Sequence, residues 1–150
     1  MRHLSYEDIR DSKVFMYWRV VRGWARKTYD IQTADIELLI YLDCRGRFRR
    51  EDFDEGIITY PWDHVRWDRL RREGWIDVWR HRNHTTRKYA IFQVSRKGKT
   101  MITRLYKILL GDEQLPVSHR SKFSDPKTYT EKVYSTAIDK MLKDNKRSYD

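Results

Sequence analysis

Two stretches of this 150-residue chain carry side chains dense enough to do chemistry. The first is Arg80-His81-Arg82-Asn83-His84-Thr85-Thr86-Arg87-Lys88, cations and histidines with no acid among them. It lies between WIDVW (75–79) and YAIFQV (89–94), two runs of β-branched and aromatic residues that read as strands over about 75–81 and 88–94. A solvated turn needs polarity, but not charge of one sign, so this hairpin tip is suited to a polyanion. The second stretch is PWDHVRWDRLRRE (61–73). Trp67 and Leu70, three apart on a helix, can face a core and leave His64, Arg66, Arg69, Arg71 and Arg72 on more exposed sides. A guanidinium there can grip phosphate or form a two-pronged hydrogen bond with guanine. Asp63 and Asp68 either pair with neighbouring arginines as solvated helix pairs or repel a phosphate backbone, depending on which way they face.

Other chemistry has little to work with. The sequence has no Gly-rich phosphate loop and no nucleophile motif. Its one cysteine, Cys44, excludes an intrachain disulfide and a cysteine-based zinc cluster. His3, His64, His81, His84 and His119 form no paired ligand motif on a helix face. No enzymatic activity, cofactor or metal is expected. Cys44 falls on an apolar helix and is expected to be a small core residue rather than a redox sensor. The start MRHLSYEDIR has no apolar signal region, and no apolar run is long enough to span a bilayer. A soluble, cytoplasmic protein with no membrane partner is the expectation.

Hydrophobic residues make up 39% and charged residues 36%, a balance that pushes toward disorder. The aromatic share of 14% opposes it, because each Trp or Tyr buries a large area. Lys and Arg total 32 against 22 Asp and Glu, for a formal net charge of +10. Such a charge attracts nucleic acid, an anionic membrane surface or an acidic protein.

The elements that must position the basic residues follow from periodicity. Ser5 and Asp8 resemble a capping box ahead of a helix running to Tyr29. Val14, Tyr17, Trp18, Val21, Trp24 and Ala25 recur there at helical spacing, widened by Ile9, Met16 and Val20. So wide a band fits a helix buried on two sides of one fold, or one that also packs on a second subunit; its width favours the second. Thr33 can cap a helix through ADIELLIYLDC, with Ile36, Leu39, Ile40 and Leu42 buried. A short helix is expected at 49–55, then a helix from Trp62 to Glu73 with Pro61 at its start and Gly74 at its end. After the hairpin, Ser95 opens a helix whose Ile102, Leu105 and Leu109 share a face and which Gly111 ends. Asp125-Pro126 opens the last, carrying Val133, Ala137 and Met141, with Tyr134 and Ile138; beyond Lys143 the polar tail is expected to fray.

This order predicts a mainly α fold with a small β-hairpin, a winged helix-turn-helix over about 33–110. The chain is expected to form one domain over 1–150, with flanking helices at about 5–29 and 126–143. LRREGWIDV (70–78) and VSRKGKTMI (94–102) resemble the MarR family of winged-helix transcription regulators at the recognition-helix end and at the step from wing to following helix. The resemblance implies a homodimer built from the first and last helices, a symmetric site on double-stranded DNA, and a recognition helix at 61–73. Arg87 matches the family's wing arginine, with Thr85 where its aspartate would stand. The expected contacts are His64, Arg66 and Arg69 in the major groove, and Arg80, Arg82, Arg87 and Lys88 on phosphate or in the minor groove. His81 and His84 would add charge when protonated. With DNA as its partner the protein would be nucleoid-associated. The alternatives are an architectural binder of nucleic acid without sequence preference, and an assembly component that uses Trp62 or Trp79 as protein anchors.

Overall fold

The structure, a computed structural model, describes residues 5–11, 14–80, 90–116 and 128–149. Its helices are α1 (Tyr6–Asp11), α2 (Val14–Tyr29), α3 (Thr33–Cys44), α4 (Arg50–Gly56), α5 (His64–Arg72), α6 (Arg96–Leu110) and α7 (Tyr129–Tyr149). Its strands are β1 (Arg47–Phe48), β2 (Ile76–Arg80) and β3 (Ile91–Val94). The residues group into two compact units, 31–102 and 1–30 with 103–150. The expected class holds, mainly helical with a small antiparallel sheet, but that sheet has three strands in the order β1-β3-β2 rather than a bare hairpin.

Within residues 31–102, short polar contacts start each helix. The backbone N–H of Gln32 donates to Asp35 Oδ2 at 3.2 Å, so α3 begins one residue after Gln32 and Thr33 lies inside it instead of capping it. The Arg49 N–H donates to Asp52 Oδ2 at 2.8 Å ahead of α4. Asp63 caps α5 by accepting from the Arg66 N–H at 2.8 Å. That cap corrects the expected boundary: Pro61 and Trp62 precede the helix. Trp62 is buried, stacked on Tyr60 at 4.5 Å between ring centroids, and a Cβ on Gly56 would come within 2.9 Å of its ring. Gly74, at φ +82°, ends α5 in a Schellman turn: Trp75 N–H donates to the Leu70 carbonyl at 2.9 Å and Gly74 N–H to that of Arg71 at 3.2 Å.

The sheet alternates up to Val78. Phe48 pairs with Phe92, Phe92 with Val78, and Ile76 with Val94. Phe48, Phe92, Ile76 and Val94 are buried, while Arg47 and Asp77 face outward. Behind the inner face Trp67 meets Phe53 at 5.1 Å and Phe92 at 5.1 Å, and Ile36, Leu39, Leu42 and Leu70 close the core. Ile40, expected in the core, is only half-buried, and Leu38 is buried in its stead.

In the other unit, Ser5 and Asp8 exchange backbone-to-side-chain hydrogen bonds at 3.0 and 3.2 Å, the expected capping box. Val14, Tyr17, Val21, Trp24 and Ala25 of α2 are buried as expected, while Trp18 is half-buried and Met16 exposed. The core stripe of α7 is Tyr134, Ile138 and Met141; Val133, expected in it, is 42% exposed. The Tyr134 hydroxyl donates to the Val20 carbonyl at 3.0 Å. Helix α7 runs on to Tyr149, past the point where fraying was expected. Asp125 and Pro126 lie outside the described residues. Among the described residues no helix is long and apolar enough to cross a membrane.

Candidate nucleic-acid interface

Helix α5 is built around Trp67 and Leu70, which are 1% and 0% exposed. Residues on the two flanks of that stripe are held by neighbouring elements. On one flank, Arg69 Nη2 donates to both oxygens of Asp35, at 2.8 and 3.0 Å, and Arg66 Nη1 donates to Asp35 Oδ1 and, at 3.2 Å, to Gln32 Oε1. Asp35, on α3, is fully buried. A buried carboxylate of this kind is tolerable only when paired and hydrogen-bonded. The hydrogen bond from Arg69 to Asp35 is also the main cause that raises the Arg69 pKa. Arg66 and Arg69, expected to point into a groove, are therefore engaged in locking α5 to α3.

On the other flank, His64 Nδ1 contacts the Arg50 guanidinium, and its ring lies 6.1 Å from that of Phe53. Arg50 also lies over Trp67, and Arg71 over Phe92 at 5.0 Å. Arg50 and Arg71, with Glu51, Asp54 and Asp68, border an open cleft of about 410 Å³ that Trp67 and Phe92 also line. His64, Val65, Asp68, Arg71 and Arg72 of α5 are exposed, Val65 at 73%; of these, Val65 and Arg72 lie outside the cleft and Asp68 stands on its border.

The sheet adds a second cationic group. A register shift between Val78 and Arg80 interrupts the alternation of β2, and Trp79 and Arg80 are both exposed. The Arg47 guanidinium lies 3.7 Å over the Trp79 ring, a cation–π contact that joins β1 to β2 across β3. Lys97 sits 4.0 Å over Trp75. Arg82, Arg87 and Lys88, with His81 and His84, lie outside the described residues.

Reasoning from sequence missed Asp35. The available signal was an acid at 35 in line with Leu39 and Leu42, a spacing that places it on the apolar face of its helix, where a charge needs a partner. Cys44 needs correction as well. It is exposed at the last turn of α3, not in the core, and partial desolvation followed by the charge of Asp43 pushes its thiol pKa up. A raised pKa disfavours the reactive thiolate. Among the described residues no group of three or more His, Cys, Asp or Glu is placed to hold a metal.

No protein-family model, curated protein or solved structure matches this chain.

Proposed function

We propose that this protein is a winged helix-turn-helix regulator that binds double-stranded DNA as a homodimer, with α5 in the major groove and the β2–β3 connection against the backbone or in the minor groove. The observation that carries the reading is the succession α4, α5, β2, β3, with its antiparallel pair joined through Arg82, Arg87 and Lys88 and no acid from Arg80 to Lys88. A helix pair that presents its second helix, followed by a cationic hairpin, suits a groove flanked by phosphates. The MarR-like motifs fall in keeping: LRREGWIDV spans the end of α5, the Gly74 turn and the start of β2, and VSRKGKTMI spans the step from β3 to α6. Arg80 is exposed and available to phosphate. The homodimer draws support from exposed apolar residues on the N-terminal helices α1 and α2 and on α7: Tyr6, Phe15 and Met16 are 71%, 76% and 50% exposed, and Tyr129 is 81%.

A second reading, a protein-contact module, is favoured by Ile58 and Tyr60, 81% and 49% exposed between α4 and α5. Burial of Trp62 removes one of the anchors that reading expected. Fluorescence anisotropy of a labelled random duplex, titrated with protein over a series of salt concentrations, separates the two. Binding that weakens steeply with salt supports the DNA reading. Absence of binding at low salt overturns it and leaves the protein-contact module.

A further inference from the structure

We infer that base preference resides in Val65, Asp68 and Arg72 of α5, and that the half-site they read contains a cytosine met by Asp68 and a guanine met by Arg72. This rests on the duplex-binding reading. Arg66 and Arg69 are tied to the buried carboxylate of Asp35, His64 contacts Arg50, Arg71 covers Phe92, and Trp67 and Leu70 are core. Val65, Asp68 and Arg72 are exposed and at i, i+3 and i+7 form one stripe, with Asp68 on the border of the cleft that Trp67 and Arg71 line.

The stripe has the dimensions and chemistry of a groove reader. Seven residues of helix advance about 10.5 Å. At about 3.4 Å per base step that covers roughly three base pairs. Each side chain has a different complement on the base edges. The Val65 methyls suit the thymine C5-methyl, the Asp68 carboxylate accepts from an amino group and suits cytosine N4 over adenine N6, whose neighbouring N7 acceptor repels it, and the Arg72 guanidinium suits the paired acceptors of guanine.

Asp68 has the most distinctive effect on recognition. Its negative charge opposes phosphates and opposes the acceptor edges of guanine and thymine. It therefore costs affinity on most sequences while selecting one base. A carboxylate placed only for solubility would have the first effect without the second. Among the described residues the Asp68 side chain makes no hydrogen bond or ion pair, which leaves it available to a partner.

The test is selection of duplexes from a pool with randomised base pairs, using the full-length protein, Asp68→Ala and Arg72→Ala, with folding checked by circular dichroism. Enrichment of a motif by the parent is expected. Asp68→Ala should lose roughly tenfold discrimination at one cytosine while binding random duplex more tightly, and Arg72→Ala should lose a comparable factor at one guanine. If Asp68→Ala enriches the same motif as the parent, the stripe is wrong and duplex binding stands. If the parent binds random duplex with steep salt dependence yet enriches nothing, base reading by the stripe is likewise overturned alone. If the parent binds no duplex, both readings fall.

Discussion

Asp35→Ala should cost this protein about 3 kcal/mol of stability, the low end of what removing one partner of a buried ion pair costs. The carboxylate is fully buried and accepts from Arg69 at 2.8 and 3.0 Å, from the Gln32 N–H at 3.2 Å, and from Arg66. Hydrogen bonds to charged groups contribute roughly 1.5–3 kcal/mol each, so loss of the set would suggest a larger figure. The guanidiniums moderate it. The Arg66 and Arg69 side chains retain 17% and 25% exposure and can turn toward water once the acid is gone. For a chain of this length 3 kcal/mol lowers Tm by about 6–12 °C. Urea unfolding followed by tryptophan fluorescence measures it, because Trp67 and Trp75 are buried in the same unit. A companion variant isolates the cause. Replacing the whole cluster with Asp35→Leu, Arg66→Met and Arg69→Met should recover most of the loss, since no charge is then stranded. An Asp35→Ala cost below about 1 kcal/mol would refute the lock as a stabilising feature. So would a triple variant as unstable as the single one.

Three further expectations concern the α2 and α7 unit. Gly23→Ala should destabilise despite alanine's higher helix propensity, because the new Cβ would meet the Tyr134 hydroxyl, and Tyr134→Phe in the same chain should restore part of the loss in thermal unfolding. Burial pushes the Tyr134 pKa up to about 12, so the folded state holds this proton longer than the unfolded chain does. Its contribution is intact below pH 10 and is lost as pH rises toward 12, at roughly 1.4 kcal/mol per pH unit; Tyr134→Phe should flatten that part of an alkaline stability curve. Phe15, 76% exposed on α2, should matter to self-association, and sedimentation of Phe15→Asp should show monomer where the parent shows dimer.

Sequence periodicity was most informative where a helix has one apolar face and a marked end. The span of α6, the Gly74 stop of α5 and the Ser5–Asp8 cap all follow from local pattern. It failed where partners distant in the chain decide. Strand β1 is two residues long, too short for any period, and exists because Arg47 and Phe48 pair with Gln93 and Phe92. Helix α3 buries residues on several sides, from Asp35 and Ile36 to Leu38, Leu39 and Leu42, so a helical wheel does not show that Cys44 is outside. The polar end of α7 has few apolar residues but contains good helix formers, and the helix continues through it. At the candidate site, arginine density on α5 was plain while its meaning was not, because the acid that occupies Arg66 and Arg69 lies more than 30 residues away. The basic connection needed no structure to be noticed, since its charge bias is a matter of residue type alone.

The most direct test of duplex binding through that connection is the salt slope of the parent protein against Arg82→Ala with Arg87→Ala, measured by anisotropy on one random duplex. The parent should bind with an affinity that falls steeply with salt, and the double variant should bind more weakly with a log–log slope shallower by about two, one phosphate contact for each arginine removed. Equal slopes would take the connection off the DNA, and no binding by the parent at low salt would contradict the DNA-binding function itself.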